Sequence, residues 1–599
     1  CHVPSCARPR AWAVVHSAAS HRGVFASGNQ RQGRCGAVCA LPCGSVVVVA
    51  FVGAARLRKG TTRGHKRLLA TTIGRHSAPA GKEYDVVVVG SGIGGLSAAG
   101  LLARHGRRVC VCEAHDTCGG AAHSFSRQGY EFDSGPSLLS GLSAPVPDTA
   151  QNPLRHVLNA LGEDVEEWVR YGGWRMITPD GDFDFEVGDE AHWISTLRSF
   201  GSEADVLDQW SRLRRVVAPL SAALANFPAS ALRPDLGGLA TVGRFFPQFL
   251  RLLPAGPRAQ APFADVLREA GVTDPFLRRW FDYLCFVLQA LPAAQHQSAP
   301  LAFMMEHLYG PGRKLDYPKG GVGALVAALR RGVQRHGGDI RLRSPVDAIV
   351  LDGDGAARGV RLGSGEVLHA REAVVSNATA WDTERLLPKE AKLAWHGDSE
   401  PPEAAGSFLH LHVGFDATGL PTPGEQGALR LHYSVVNSWE PIDAPGHVVI
   451  VSVPSVVDPS LAPPGRHCLH AYVAASEEFG PWEGLDRRSL EYERLKRERC
   501  EVLWRAVDRI VPDIRERVDL ELLGTPLTHA RFLRRHRGTY GAYSRATSGP
   551  LPSGPSLPGV TTPVPRLLRC GDSCFPGIGV PSAAASGANA ATALLSVPE

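Results

Sequence analysis

A run of apolar, mostly β-branched residues leads straight into a glycine-rich turn near residue 90, and this feature limits the possible folds most strongly. Residues 84–89 (YDVVVV) predict a strand buried on both faces of a parallel sheet. Residues 90–95 (GSGIGG) place three glycines in the G-x-G-x-x-G register, residues 96–105 have helical spacing, and residues 108–112 predict a second strand. This order predicts a βαβ unit that binds a dinucleotide.

Each glycine of the turn has its own physical task. Gly90 permits the tight turn out of the strand, Gly92 lets the backbone approach a pyrophosphate, and Gly95 lets the helix pack closely against the sheet. The helix N-terminus adds free N–H groups and the positive end of a dipole. Glu113, 23 residues after Gly90, can accept hydrogen bonds from ribose hydroxyls. The predicted contacts in this unit are Gly90, Ser91, Gly92, Gly94, Gly95, Glu113 and Ala114.

Two further features favour FAD over NAD as the dinucleotide. A second glycine pair follows the acidic residue within seven residues, and its predicted contacts are Gly119, Gly120 and Ala121. Near the C-terminus, residues 567–572 (LLRCGD) predict a strand that ends in Gly-Asp, and the small residues 583–593 suit a tightly packed helix. This arrangement resembles the second flavin-binding element of FAD oxidoreductases, which implies cofactor contacts from Gly571, Asp572, Gly579 and Val580.

Further motifs lie between the glycine turn and the C-terminus. They are residues 132–137 (FDSGPS), 317–323 (YPKGGVG), 373–378 (AVVSNA), 524–528 (GTPLT) and 571–577 (GDSCFPG). With the glycine turn, they make the sequence from residue 84 to residue 595 similar to the carotenoid isomerase and phytoene desaturase family of flavoproteins. Residues 524–528 together with the following residues 531–540 (RFLRRHRGTY) favour the carotenoid-isomerase-like branch, and retinol saturases belong to the same broad group. Many relatives have Arg after the glycine pair, where this chain has Ala121-Ala122-His123.

The resemblance implies an α/β fold. A Rossmann-type FAD-binding domain of the glutathione-reductase-like flavoprotein fold would be interleaved with an α+β substrate domain. The FAD-binding domain would take residues 83–150, 317–385 and 561–599, and the substrate domain would take residues 151–316 and 386–560. In relatives the middle block returns to the FAD-binding domain, which would place Val346 beside the adenine.

The resemblance also implies the activity, an FAD-dependent cis–trans isomerase of carotenoids in carotenoid biosynthesis. In that reaction reduced flavin lends electrons to the polyene and recovers them, so no net redox change results. The flavin would be the catalytic group, and the sequence contains neither a paired-histidine metal motif nor a nucleophile elbow. The first alternative is a net oxidoreductase: either a desaturase, which passes electrons to quinone or oxygen, or a saturase, in which reduced FAD adds two hydrogens. The second alternative is a non-catalytic flavin- or carotenoid-binding protein.

The charge of the chain is divided unevenly. The net charge is +5, but no Asp or Glu precedes Glu83. Of the 64 Lys and Arg residues, 13 lie in residues 1–82, which leaves 51 against 59 acidic residues, or about −8, in the remainder. Because the net charge of residues 83–599 is negative, this region has no electrostatic reason to bind nucleic acid.

Residues 1–82 have the composition of a targeting leader, because they lack acidic residues and are rich in Arg, Ser, Ala and Gly. An uncharged stretch between Arg34 and Arg56 is diluted by Gly and Pro, and a basic tract follows it. We interpret the leader as largely disordered and the stretch as a signal-like region of a two-part plastid import signal; a membrane anchor is the alternative.

Two segments in the middle of the chain have two interpretations each. Residues 239–254 (LATVGRFFPQFLRLLP) combine aromatic and aliphatic side chains with isolated arginines, which favours peripheral contact with a membrane; the alternative is a packed helix pair broken by Pro247. Residues 280–291 form an apolar run that suits either the core or the wall of a tunnel for a lipid-soluble polyene.

Histidine and arginine residues give two further alternatives. His410 and His412 would lie on one face of a strand, as satisfied core residues, catalytic groups or part of a half-exposed surface. Arg531, Arg534, Arg535 and Arg537 would either stabilise an anionic reduced flavin or form a solvated or lipid-facing surface.

Overall fold

The computed structural model describes residues 83–135, 137–143, 152–225, 256–395, 402–547 and 557–596. The predicted leader, residues 1–82, and the predicted membrane-contacting segment, residues 239–254, lie outside the described residues. Among the described residues, no helix is long and apolar enough to cross a membrane.

Strands and helices alternate along most of the chain. The strands are β1 (Glu83–Val89), β2 (Val109–Cys112), β3 (Ser124–Arg127), β4 (Tyr130–Asp133), β5 (Leu139–Ser140), β6 (Trp168–Tyr171), β7 (Gly173–Thr178), β8 (Gly181–Glu186), β9 (Leu315–Pro318), β10 (Asp339–Arg341), β11 (Val346–Leu351), β12 (Ala357–Leu362), β13 (Val367–Ser376), β14 (Ser407–Asp416), β15 (His432–Val436), β16 (Val448–Ser452), β17 (Arg466–Glu477), β18 (Val518–Gly524) and β19 (Leu567–Arg569). The helices are α1 (Ile93–Arg104), α2 (Pro153–Leu161), α3 (Glu190–Phe200), α4 (Val206–Ala225), α5 (Gly256–Gln260), α6 (Phe263–Glu269), α7 (Pro275–Gln289), α8 (Ser298–Tyr309), α9 (Gly323–Arg335), α10 (Ala380–Leu386), α11 (Lys389–Trp395), α12 (Leu490–Asp508), α13 (Ile514–Arg517), α14 (Pro526–Phe532) and α15 (Val580–Leu595).

The first sheet contains the predicted nucleotide-binding unit. Among the described residues its seven strands run in the order β10-β2-β1-β13-β12-β11, with β19 also paired to β13. The pairs β10–β2, β2–β1, β1–β13 and β13–β19 are parallel, whereas β11–β12–β13 is antiparallel. Val86, Val87 and Val88 are fully buried because the sheet is covered on both faces. Three stretches that are distant in the sequence therefore build one sheet.

Strand β13 is longer than its sequence predicts. The sequence predicts two short strands, residues 367–370 and 373–376, on either side of Arg371 and Glu372, whereas the structure has one continuous strand there. Both charged side chains find partners at the end of the sheet: Arg371 Nε donates to Asp85 at 2.8 Å, and Arg107 Nε donates to Glu372 at 2.9 Å. Ion pairing lets two polar residues continue a strand that their composition alone would interrupt.

The second sheet is mostly antiparallel. Seven further strands of the described chain run in the order β18-β14-β17-β16-β15-β7-β8, and only β7 and β15 pair in parallel. Residues 174–178 and 183–187 flank a Pro-Asp-Gly-Asp turn signal that predicts a hairpin, and strands β7 and β8 confirm it. One face packs its aliphatic side chains against α12 in a continuous core. The two sheets confirm the predicted α/β class, in which a dinucleotide-type parallel sheet is interleaved with an α+β part.

Helices α3, α4, α6, α7 and α8 form an aromatic core beside the second sheet. Apolar residues recur at helical spacing between Val206 and Leu220 and predict a helix. Helix α4 confirms this prediction, and Trp210 and Leu213 lie on its buried face. Trp193 and Trp280 are fully buried, and their ring centroids lie 5.1 Å apart. This core closes one side of a large internal cavity.

Candidate functional site

The glycine turn after β1 has the geometry that dinucleotide binding requires. Gly90 has φ +90°, which L side chains rarely adopt. A Cβ atom on Gly95 would lie 2.2 Å from the carbonyl oxygen of Gly90, so only glycine lets α1 begin this close to β1. Gly92 is the N-cap of α1 and provides no side-chain cap. The first N–H groups of the helix are therefore left for a ligand.

The second glycine pair lies directly against this turn. Gly119 N donates to the Ser91 carbonyl at 2.9 Å. Gly119 and Gly120 have φ +120° and +56°, and a Cβ atom on Gly120 would lie 3.3 Å from Gly92 Cα. The two turns therefore form one surface of exposed backbone.

Glu113 is fixed at the end of β2 by the glycine turn. Its Oε2 accepts hydrogen bonds from Ser91 N at 2.8 Å and from Ser91 Oγ at 2.6 Å. Its Oε1 accepts one from His115 N at 2.8 Å. These bonds orient the carboxylate and leave it further lone pairs for a ribose.

The C-terminal element brings a second helix N-terminus to the same place. Gly571 and Gly579 have φ +102° and +107°, and Gly579 is the N-cap of α15 without a side-chain cap. Helices α1 and α15 touch at their backbones, since a Cβ atom on Gly587 would lie 2.2 Å from the Gly94 carbonyl oxygen. The positive ends of both helix dipoles therefore face one site.

These elements line a cavity of about 1960 Å³. An ordinary ligand pocket has a volume of roughly 300–1,000 Å³, so this cavity has room for two ligands. Of the residues predicted to bind the cofactor, those in the wall are Gly90, Gly92, Gly94, Glu113, Ala114, Gly119, Gly120, Ala121, Val346, Gly571, Asp572, Gly579 and Val580. Ser91 and Gly95 lie behind the wall, where Ser91 holds Glu113 and Gly95 allows α1 to approach.

A dinucleotide fits the chemistry of this end of the cavity. The uncapped N-terminus of α1 can receive a pyrophosphate, and glycine Cα atoms let the backbone approach it without steric conflict. The uncapped N-terminus of α15 lines the same cavity and can face another electron-rich part of the ligand. The described residues contain no cluster of three or more side chains placed to hold a metal ion.

The arginine segment of residues 534–537 lies beside Gly571 and Asp572. Arg535 is mostly buried, with 13% of its side chain exposed, and its Nη2 donates to Asp572 Oδ2 at 2.7 Å. Arg537 pairs with Glu483 at 3.2 Å. Arg534 has φ +51°, lines the cavity and makes no ion pair with any described residue. Backbone strain of this kind persists where the surroundings impose it, often at functional sites.

The predicted apolar run belongs to both the core and the cavity wall. Trp280 is fully buried within the aromatic core, whereas Tyr283 and Leu284 on the same helix α7 line the cavity. Ile450 and Tyr472 of the second sheet line it from the other side. This part of the cavity is largely apolar and suits a lipid-soluble molecule.

The histidines of β14 are buried, so their interpretation as a half-exposed surface is wrong. His410 and His412 are 3% and 6% exposed. His410 Nδ1 lies 2.8 Å from His470 Nε2, and His410 Nε2 lies 2.7 Å from His529 Nε2. Burial lowers the pKa of His412 to about 4, and His412 Nε2 lies 3.1 Å from the Asp133 carbonyl. These rings are therefore neutral at physiological pH.

The hydroxyl groups of the apolar part were not identified from the sequence. Tyr283, Ser434 and Tyr472 all line the cavity, and Tyr283 OH lies 2.5 Å from Ser434 Oγ. Residues 283 and 434 are 151 positions apart in the sequence. No local pattern indicates such a pair, because it forms only where helix α7 packs against strand β15 of the second sheet.

Comparison with known proteins gives matches over most of the chain. The family model for flavin-containing amine oxidoreductases matches residues 93–595. Chloroplastic prolycopene isomerase of Arabidopsis thaliana is 32% identical over 513 residues, which cover 84% of this chain and 81% of that protein. All-trans-retinol 13,14-reductase of Rattus norvegicus is 27% identical over 530 residues, which cover 82% and 83%.

Solved structures share the fold at low sequence identity. An oxidoreductase from Methanosarcina mazei superposes with a TM-score of 0.53 at 18% identity, covering 84% of this chain and 98% of that chain. Putrescine oxidase superposes with a TM-score of 0.53 at 16% identity, covering 86% and 99%. These similarities concern the fold alone.

Proposed function

The chain belongs to the flavin-containing amine oxidoreductase family, and we propose that it is an FAD-dependent cis–trans isomerase of a carotenoid. The observation that carries this proposal is the 32% identity to a plant prolycopene isomerase over 84% of the chain. The plant relatives from Arabidopsis, Oncidium and Daucus match over the same share of the chain at 30–32% identity.

The residues predicted to bind the cofactor would hold FAD across both glycine turns. The α1 N-terminus would receive the pyrophosphate and the α15 N-terminus would face the flavin. Glu113 would accept hydrogen bonds from the ribose, and Val346 would lie beside the adenine. Asp572 would contact the ribityl–pyrophosphate region, and Arg535 fixes its carboxylate by an ion pair of 2.7 Å. When bound, FAD supplies the electron or hydride transfer that lowers the bond order of a polyene.

The apolar part of the cavity would hold the polyene against the cofactor. Helix α7 and the second sheet supply opposite walls, through Leu284 and Ile450 among others. Side chains of this kind orient a long apolar chain and exclude water from the reacting bonds. The protein's contribution is then binding, orientation and exclusion of water.

We also propose that the protein acts in a plastid, at the surface of a membrane. The plant relatives are chloroplastic by name, and the acid-free leader has the composition of an import signal. A lipid-soluble substrate would enter from the bilayer, with residues 239–254 as the proposed contact. An electron partner such as a quinone would be needed only to reduce or reoxidise the flavin.

The test is an anaerobic assay of the purified, leaderless protein with photoreduced FAD and poly-cis lycopene. The expected product is all-trans lycopene of unchanged mass, identified by chromatography and mass spectrometry together. A Gly92→Leu variant is the control, since a Cβ atom there would already lie 2.7 Å from Asn377 Nδ2 and the side chain would extend into the cofactor site. No conversion by the parent protein would refute isomerisation of poly-cis lycopene.

A net reductase is the second candidate. The observation that favours it is the 27% identity to a retinol 13,14-reductase over 82% of the chain. In the same assay a reductase would yield a product heavier by the mass of two hydrogens. That outcome would show that the protein is a net reductase and would leave the proposed FAD site unchanged.

A further inference from the structure

The second sheet has two buried faces of opposite character. One face carries Leu411, Val435 and Val449, which pack against α12. The other face turns towards the cavity and carries hydroxyl and imidazole groups instead. A sheet face that serves only to line a pocket for a hydrocarbon has no need of buried polar groups, which cost free energy unless they are hydrogen-bonded.

Strand register places these polar groups in rows across the sheet. Ser434 on β15 lies opposite Met176 on β7 and Ile450 on β16, and Ile450 lies opposite Tyr472 on β17. Residues directly opposite one another share a face, so this row is one continuous surface. Ser434, Ile450 and Tyr472 all line the cavity.

Two imidazoles of this face, those of His432 and His410, have their hydrogen bonds already satisfied within the protein. His470 has one buried nitrogen, Nδ1, without a hydrogen-bond partner among the described residues, but this side chain does not line the cavity. His432 has Tyr171 OH 2.9 Å from Nδ1 and Ser137 Oγ 3.1 Å from Nε2. His410 is bonded at both nitrogens by His470 and His529. A ligand therefore finds no free nitrogen on either ring.

The hydroxyls, in contrast, keep hydrogen-bonding capacity. Tyr283 OH and Ser434 Oγ carry two hydrogens, and only one is used in their mutual bond of 2.5 Å. Neither hydroxyl has another acceptor among the described residues. Tyr472 lines the cavity, is only 5% exposed, and makes no hydrogen bond to any described residue. We call Tyr283, Ser434 and Tyr472 the hydroxyl cluster.

The cluster consists of neutral donors. Burial raises the pKa of Tyr472 well above its ordinary value, with Tyr540 and Tyr283 close enough to contribute. Burial likewise raises the pKa of Tyr283. Protonated hydroxyls in an apolar wall suit an uncharged oxygen acceptor, such as an alcohol, an ether or a carbonyl oxygen.

We propose that the hydroxyl cluster binds an oxygen atom of the substrate, so that the preferred substrate class is an oxygenated polyene rather than a pure hydrocarbon. This inference rests on the proposed function, because it concerns the ligand of the same cavity. A hydrocarbon would bury the spare hydroxyl hydrogens without an acceptor, whereas an oxygenated polyene satisfies them. A site built to hydrogen-bond a substrate oxygen discriminates against the analogue that lacks it.

The test compares two polyenes that differ only in oxygen, 9-cis β-carotene and the dihydroxylated 9-cis zeaxanthin. Dissociation constants are measured on the full FAD-loaded protein from the shift of polyene absorbance. We expect the parent protein to bind the dihydroxylated polyene about tenfold more tightly, the value of one net hydrogen bond. Tyr472→Phe should reduce that preference to about threefold or less, since it removes one donor of the cluster.

Tyr492→Phe is the matched control for the loss of a tyrosine hydroxyl. Tyr492 OH lies 3.0 Å from Thr525 Oγ1, and the ring packs on the opposite, apolar face of the sheet. This variant should keep the tenfold preference. The flavin absorbance of both variants should equal that of the parent, and loss of flavin from Tyr472→Phe alone would assign the hydroxyl to the cofactor and overturn the proposal.

The outcomes separate this inference from the proposed function. Equal affinity of the parent protein for both polyenes, together with isomerisation of poly-cis lycopene, would overturn the oxygen site and leave the isomerase intact. A tenfold preference that Tyr472→Phe removes would support the oxygen site even if lycopene itself is not converted. Binding of neither polyene would overturn both.

Discussion

Replacing Gly587 with alanine tests whether the close contact of α1 and α15 is what builds the cofactor site. The new Cβ atom would lie 2.2 Å from the Gly94 carbonyl oxygen and 2.9 Å from Ser97 Cβ. Ordinary contact needs about 3.5–4.0 Å, so the helices must separate by roughly 1 Å. Overpacking of this kind costs about 1–3 kcal/mol, against a gain in helix propensity of about 1 kcal/mol for alanine over glycine.

The net expectation is a loss of up to about 2 kcal/mol in the free energy of unfolding, with weaker FAD binding. Each helix N-terminus contributes about 0.3–1 kcal/mol to holding an anion, and up to about 2 kcal/mol in a partly buried site. Moving the two helix N-termini away from the bound cofactor should therefore raise the dissociation constant of FAD about tenfold. Fluorescence titration of the apoprotein with FAD measures this constant, and thermal denaturation measures stability.

The matched control is Gly353→Ala, in the turn between β11 and β12. No atom lies within 4 Å of its added Cβ, and Gly353 does not have a left-handed φ. This variant should change neither FAD binding nor the melting temperature. If Gly587→Ala instead bound FAD as tightly as the parent and unfolded at a higher temperature, helix propensity alone would decide the outcome, and the packing argument would be refuted.

Three further perturbations test charges at the site and in the core. Arg535→Gln removes the ion-pair partner of the mostly buried Asp572 carboxylate and should lower the free energy of unfolding by about 1–3 kcal/mol. Thermal denaturation of the holoprotein measures this loss, and Arg535→Lys should recover part of it. Arg534→Gln should make the two-electron midpoint potential of bound FAD more negative, by about 30 mV for each 1.4 kcal/mol of stabilisation that the reduced flavin loses. Arg531 lies outside the cavity wall, so Arg531→Gln is the control and should leave the potential unchanged. Equal potentials in both variants would exclude Arg534 from contact with the flavin. His412 has a pKa of about 4 in the folded protein, whereas in the unfolded chain it takes a proton near pH 6.5. Its contribution to the free energy of unfolding is therefore complete above about pH 6.5 and falls by about 1.4 kcal/mol per pH unit as the pH decreases towards 4. Urea unfolding at several pH values gives the dependence of the free energy of unfolding on pH, and this dependence should be weaker in His412→Gln than in the parent protein. An unchanged dependence would contradict the burial of His412 as a neutral ring.

The nucleotide-binding part of the fold was predictable because its constraints are local. A strand, three spaced glycines, a helix and a second strand occur within 30 residues, and each requires a residue type that the sequence displays directly. Gly90 and Gly579 have the left-handed φ values that glycine permits. The roles of individual cofactor contacts remain predictions until FAD binding of the variants is measured.

The walls of the substrate cavity could not be predicted in the same way. Residues 280–291 are compatible with core or tunnel by composition, and the structure divides them between the two. His410 and His412 are two positions apart, a spacing that also occurs on the exposed face of a strand. In the structure, helix α14 and strand β17 place His529 and His470 against His410. A period of two indicates which side chains share a face, but not what covers that face.

The sequence by itself determined the family, the cofactor class and the position of the glycine turns, because backbone conformation and strand–helix order are encoded over short distances. Only the tertiary structure decided that Asp572 meets Arg535, that α15 touches α1 through Gly587, and that Tyr283 meets Ser434. These contacts depend on the register of strands and the close approach of helices that are distant along the chain. The chemistry of the cavity therefore follows from packing, whereas the ability to bind a dinucleotide follows from local sequence.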